Sequence, residues 1–513
     1  MFTAGGVRLY AQLSGYPYIR NYTPREYKAS SANYSTVQDA RGIMYFGNYR
    51  GILEYDGANW KLMPLNNRGV VFSLAVDSSG KVYVGGSGEF GYLRPDEKGS
   101  QTYQSLVQFL PESERAFSGV VRVIGARSGA FFHVFDSRRL YYWDGINLHT
   151  VYASEPSETA SQFFYRFDRL WQIAGDKGLR VYDGEGFKEF PGGGQLAGSL
   201  LFSLTVTGKK QLLTWEYSRG FLKLDFSDEK LTIQPFRTEI EDLLAESNFS
   251  SVLALSQDRI LVTTARAGAF VLDAQGRLLQ KINQRSGLQD NLITSAYMDQ
   301  NHSLWLTLSK GISRVEVNSP LTQWKESSGL RGIVFSSIRH NGIFYASTTQ
   351  GVFRLEEDYF KPIPEIDAES WRLVSFKTPG QPNRLLVTTV QGIYEIRGAN
   401  ATLVSQDLIC FEAYPSRKYP GRIYCLSGRS TVEIITYANG RWSQPQPIAG
   451  LSGRFKSIEE DEDGNVWLVE LLGEGSVIRA KVDAAGNAEL QRYDSGQGLP
   501  PVNGVHIVKN KPV

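Results

Sequence analysis

The chain has 513 residues, too many for one ordinary domain, with 21% charged and 42% hydrophobic residues, the balance of a globular protein. A formal net charge of +2, with both signs interspersed, leaves no basic stripe to neutralise phosphates, which argues against nucleic acid as a partner. No apolar run approaches the ~18 residues that span a bilayer, and 51 Gly, 27 Tyr, 27 Phe and 9 Trp against 4 Met favour short strands and tight turns over helices.

Residues 1–17 read either as the remnant of a secretory leader, ending near Leu9-Tyr10-Ala11-Gln12, or as an N-terminal arm. The segment Pro17-Tyr18-Ile19-Arg20-Asn21-Tyr22 then reads as a lone strand. A repeat follows: an apolar strand, Asp-x-x-Gly, an apolar-aromatic strand, a Gly-containing turn and a third strand. Its clearest copies run from Val37 through Asp39, Gly42 and Tyr45, and from Ala75 through Asp77, Gly80 and Tyr83. Two more run from Met298 through Asp299 and Trp305, and from Glu460 through Asp461, Gly464 and Trp467. Asp opens such a turn by accepting backbone N–H groups, and Gly supplies the positive φ at its end. Degenerate copies centre on Phe132, Trp171, Leu213, Leu261, Tyr345, Leu386 and Tyr424.

The eleven marker residues recur about every 42 residues, the length of a four-stranded propeller blade. Eleven blades exceed one ring, so a break is expected. Pro320-Leu321-Thr322-Gln323-Trp324 resembles the Pro17–Tyr22 segment, and each reads as an outer strand donated to close a ring. The expected fold is therefore all-β, with tandem propellers. A seven-bladed propeller occupies 18–318. A second, partial propeller over 319–513 has about four blades plus one strand beginning at Val502. An incomplete ring exposes raw sheet edges, so the chain is expected to continue.

Cys410 and Cys425 fall on neighbouring strands of one hairpin; they read as two buried free thiols or, alternatively, a disulfide. Asp461, Asp463 and Asn465 have the first spacings of a calcium loop, but Val466 and Leu472 occupy the places that need Gly and Glu, so no metal is expected. The five histidines are scattered, and no cofactor motif is present, so no cofactor is expected.

The pattern Asp-x-x-Gly-x-φ-Trp/Tyr-φ-Gly, followed by Gly51-Ile52-Leu53-Glu54-Tyr55-Asp56-Gly57, resembles the two-component regulator propeller repeat. Asn21-Tyr22 through Tyr27, Tyr45-Phe46-Gly47-Asn48 and Gly88-Glu89-Phe90-Gly91-Tyr92-Leu93 are similar to Bacteroidetes-type periplasmic sensor ectodomains. That resemblance implies a ligand-sensing module on the periplasmic or extracellular side, followed in the native chain by a triple-tyrosine β-sandwich, a membrane span and an output domain. A homodimer is a separate expectation for the native chain.

In an antiparallel meander, the second-to-third turns share a face with the connections between blades, where each inner strand begins. On this upper face of the first ring the sequence places Tyr34, Tyr49, Arg50, Glu89, Phe90, Asp176, Lys177, Tyr217, Arg219, Arg266 and Lys310. Cations, carboxylates and flat rings around one axis suit a polar small molecule, a saccharide or a protein segment. No catalytic residue is assigned, and the chain is expected not to be an enzyme. Two alternatives remain: a secreted polysaccharide lyase or glycosidase using Glu89, Glu216 or Asp176, and a pure protein-interaction scaffold.

Overall fold

The computed structural model describes residues 15–134, 139–153, 161–378, 380–406, 408–471 and 476–499. The chain divides into two compact units, Met1–Trp324 and Lys325–Val513. Among the described residues the first unit holds seven four-stranded antiparallel sheets and the second holds four sheets, so the fold is a tandem of β-propellers. In the third sheet of the second unit the outer strand is broken into Arg441–Trp442 and Gln446–Pro447, both paired with Thr431–Ala438. The strand expected to begin at Val502 lies outside the described residues.

All eleven sequence markers sit on the second strand of a sheet. Ten are buried, and Trp467 is half-buried. In four blades the turn aspartate explains why the marker is Tyr or Trp. One carboxylate oxygen of Asp299 accepts the N–H groups of Asn301 and Ser303 at 2.9 and 2.8 Å. The other accepts the Trp305 indole N–H at 2.8 Å. Asp461 holds Asn465 N–H and the Trp467 indole in the same way, and Asp39 and Asp77 hold their turns and the hydroxyls of Tyr45 and Tyr83. A buried aromatic with a polar tip needs such a partner. Gly42, Gly80 and Gly464 take φ of 86°, 82° and 79° at the end of this turn; in the seventh blade His302 occupies that position at φ 60°.

Each blade has two apolar faces, and stacking against its neighbours buries them. Phe90, for example, packs with Phe132, Tyr141 and Trp143 of the next blade. Side chain-to-backbone hydrogen bonds also stitch neighbouring inner strands. Ser73 Oγ accepts Val123 N–H at 3.0 Å, and Gln162 bonds both the N–H and the C=O of Leu201. Ser250 Oγ donates to Ile293 C=O at 2.8 Å, and Thr294 Oγ1 donates to Asn33 C=O at 2.6 Å. The last of these joins the seventh blade to the first.

Strand Ile19–Tyr22 completes the closure. It pairs antiparallel with Gly311–Val315, from Ile19↔Val315 to Tyr22↔Ile312, as the outer strand of the seventh sheet. Tyr22 is fully buried, stacked on Trp305 at 5.5 Å and edge-on to Tyr55 and Trp60 of the first blade. The second segment, Pro320–Trp324, departs from the sequence expectation. Gln323 exchanges both backbone bonds with Tyr16, at 2.9 and 2.8 Å, and so belongs to the first unit. The fourth sheet of the second unit carries its own outer strand, Ala488–Tyr493. Cys410 and Cys425 are buried free thiols on adjacent strands, and burial raises the Cys410 pKa well above the usual thiol range.

Asp299→Ala would orphan the buried Trp305 indole and two turn N–H groups. It should lower the stability of the first unit by about 2–4 kcal/mol, with Asp299→Asn costing less. Calorimetric unfolding of the two variants checks both the loss and the ranking.

Candidate functional site

The upper face is defined by recurring hydrogen bonds. The first N–H of the second-to-third turn donates to the residue that leads into the inner strand: Tyr49 to Ala32, Ser87 to Val70, Ala265 to Asn248 and Ser309 to Leu292. The turns that carry the predicted rim therefore sit beside the beginnings of the inner strands.

The eleven rim residues divide on burial. Tyr217 is 83% and Tyr49 56% exposed. Arg50, Asp176, Lys177, Arg266 and Lys310 are exposed turn residues. Tyr34 is half-buried, with its ring edge-on to Phe72 at 5.9 Å. Arg219 is exposed but anchored: its guanidinium donates to Ser199 Oγ at 2.8 Å and lies 3.6 Å from Glu216. Two residues do not belong to a binding rim. Phe90 is fully buried between blades, because strand alternation turns it inward at the first step of Glu89–Pro95. Glu89 is buried too, and its carboxylate accepts Tyr103 and Ser105 hydroxyls at 2.8 and 2.7 Å.

Tyr217 lines a cleft of about 500 Å³ between the fifth and sixth blades, with Phe202, Trp215, Glu241, Asn248 and Phe249. This volume lies in the range of small-molecule sites. Phe202 and Trp215 are register partners on strands Leu201–Gly208 and Gln211–Glu216. Phe202 is turned outward, 42% exposed, at a β-bulge where Ser203 takes φ 55°. A bulge re-aims a side chain in this way. Ser203 Oγ bonds both the N–H and the C=O of Val252, fixing the bulge against the next blade. Trp215 stacks on Phe249 at 5.3 Å with an interplanar angle of 16°, and meets buried Phe221 edge-on at 4.9 Å.

The third wall is the helix Glu241–Ser247, inserted in the connection between the fifth and sixth blades. Ile240 and Leu244 anchor it in the core with Phe236 and Phe270. Glu241 is fixed by Thr238 N–H at 3.0 Å and the Arg237 guanidinium at 3.2 Å. Asn248 ends the helix at φ 54°, a region that Asn tolerates better than most residues. Its side-chain amide makes no hydrogen bond among the described residues. The cleft thus offers aromatic faces, a free amide and a carboxylate, which together suit a polar molecule with some apolar faces.

Of the three alternative catalytic carboxylates, Asp176 is an exposed turn residue, whereas Glu89 and Glu216 are buried and engaged within their own blades. Glu216 accepts Ser218 N–H, Ser218 Oγ and Arg219 N–H, closing its own turn, as Glu89 closes its blade. No group of His, Cys, Asp and Glu suited to a metal ion occurs among the described residues. No helix among them is long and apolar enough to cross a membrane.

Trp215, Phe202, Phe249, Glu241 and Asn248 escaped the sequence reading, which followed turns and not strand ends. Trp215 lies two residues after marker Leu213, on the same face of its strand, and that spacing is the signal that could have found it.

No known protein-family profile matches the chain, and no curated protein does. Among solved structures, the chain is similar to the extracellular domain of a proposed hybrid two-component system from B. thetaiotaomicron. The TM-score is 0.61 at 16% identity, over 94% of this chain and 67% of that one. The extracellular domain of a proposed one-component system from the same organism gives 0.45 at 17% identity, over 94% and 68%. Virginiamycin B lyase from Staphylococcus aureus gives 0.42 at 12%, over 58% and 98%. The last two scores bear on neither fold nor function. The first match is a likeness of fold.

Glu89→Ala should cost about 1–3 kcal/mol by orphaning two hydroxyls, whereas Tyr217→Ala should stay within about 0.5 kcal/mol of the parent. Thermal unfolding of both variants separates residues that build the blades from those free to contact a ligand.

Proposed function

We propose that this chain is the ligand-recognition portion of an extracytoplasmic signal receptor, and that it binds a polar small molecule or saccharide on the upper face of the first propeller. The cleft lined by Trp215, Tyr217, Phe202 and Asn248 carries the reading. Flat rings bind the apolar faces of a sugar ring, and the free amide of Asn248 and the Glu241 carboxylate fix its hydroxyls. The repeat type and the fold likeness to an extracellular sensor domain support a receptor setting. In that setting the signalling activity belongs to an output domain coupled to this one. The engagement of Glu89 by the outer strand of its blade and of Glu216 by its own turn takes two of the three candidate carboxylates out of catalysis and favours binding over hydrolysis.

The test is calorimetric titration of the chain with a panel of neutral and acidic oligosaccharides. A bound member of the panel should lose at least about tenfold in affinity with Tyr217→Ala and with Asn248→Gly, consistent with loss of one stacking or hydrogen-bonding contact. Binding unchanged in both variants would place recognition elsewhere, and release of cleavage products would replace the receptor reading with an enzyme.

A further inference from the structure

A second cavity, of about 300 Å³, lies on the axis of the first propeller. It is lined from four successive inner strands: Ala75 and Val76, then Arg122 to Gly125, then Phe163 to Arg166, then Leu204. Residues of four blades can share one cavity at the axis, where inner strands converge. Its depth distinguishes it from the upper-face cleft. Val76, Gly125 and Arg166 end their strands on the side opposite the second-to-third turns.

The charge there is one-sided. The seven inner strands, from Asn33–Gln38 to Ile293–Met298, contain Arg122 and Arg166 and no Asp or Glu. Neither arginine has a carboxylate partner among the described residues. Arg122 donates to the Phe163 carbonyl at 3.4 Å, and Arg166 donates to the Tyr165 carbonyl at 2.7 Å. The Arg166 Nε–H is buried with no acceptor. Two guanidinium groups with ten N–H donors therefore meet two backbone carbonyls. His133 is the register partner of Arg122 on the neighbouring strand. Its pKa is pushed down to about 4 by burial and then by Arg122, so it is neutral and adds no negative charge. Burial lowers the pKa of both arginines, and for Arg122 the second cause is the charge of Arg166.

Arg122 and Arg166 are half-buried, and like charges taken partly out of water without a counter-charge are costly unless something compensates them. Structural arginines are normally paired, as Arg384 is here: it donates to Glu395 at 2.6 Å in the second unit. The geometry points to an oxyanion-binding site in the axial cavity, formed by Arg122 and Arg166, that takes a sulfate, phosphate or carboxylate group of a small ligand. The guanidinium fork matches such groups. Ala75, Val123, Ile124, Tyr165 and Leu204 also line the cavity, giving it a mixed polar and apolar wall. This site is separate from the cleft of the proposed function and stands without it.

The test uses the full chain in a chloride-poor buffer, with inorganic sulfate, inorganic phosphate, D-glucuronate and neutral D-glucose as probes. Sulfate or phosphate should raise Tm by about 4 °C at saturation, and glucose should not. A shift with the inorganic ions alone assigns the site to a free ion; a shift with glucuronate as well assigns it to a carboxylated ligand. Arg122→Met with Arg166→Met should abolish the response. Without any anion, each single variant should match or exceed the parent Tm, because a half-buried repulsion is removed. Tyr217→Ala should leave the response intact, so failure of the cleft reading and failure of this one are distinguishable. No shift with any anion would overturn the proposal. So would an undiminished shift in the double variant, or a lower Tm in both single variants, which would make the arginines structural.

Discussion

Face-to-face packing of blades is the constraint on which the first propeller depends. A four-stranded sheet of about 40 residues cannot hide two apolar faces by itself. Each blade lends one face to each neighbour, so the ring must close or leave a raw face. Closure rests on the aromatic contact of Tyr22 with Trp305, Tyr55 and Trp60, where the strand nearest the N-terminus meets the blade farthest along the ring. The hydrogen bond from Thr294 to Asn33 repeats that junction at the axis.

The same constraint produces the sites. Inner strands converge on an axis, so their turns and bulges crowd onto one face, and residues far apart in sequence become neighbours. Where the fifth and sixth blades meet, a bulge at Ser203 turns Phe202 outward, and a seven-residue helix fills the connection. The result is a cleft whose walls come from residues 202 to 249. Where four inner strands approach the axis lower down, two arginines share a small cavity.

Much of the fold was legible because it is written as a period. Asp39, Asp77, Asp299 and Asp461 each hold a turn and the tip of an aromatic six residues on, so the spacing is a direct consequence of the geometry. The closing role of Ile19–Tyr22 was legible from its strand character and its place before the first blade. The role of Pro320–Trp324 was not, because Gln323 pairs with Tyr16, 307 residues away, and neither that bridge nor the edge-on contact of Tyr16 with Trp324 leaves a spacing in the sequence. The site was legible in part. Turn position identified Tyr217, but it also named Phe90 and Glu89, since a turn residue and the first inward residue of the next strand differ by one step. Trp215, Phe202 and Phe249 come together through register and a bulge, neither of which leaves a fixed spacing.

The most direct measurement is amide hydrogen exchange on the full chain carrying Tyr22→Ala. If closure by that ring holds the propeller together, the inner strands Asn33–Gln38 and Ile293–Met298, on either side of the seam, should lose protection together, while the four sheets of the second unit keep theirs. Loss of protection confined to Ile19–Tyr22, with both inner strands unchanged, would contradict it.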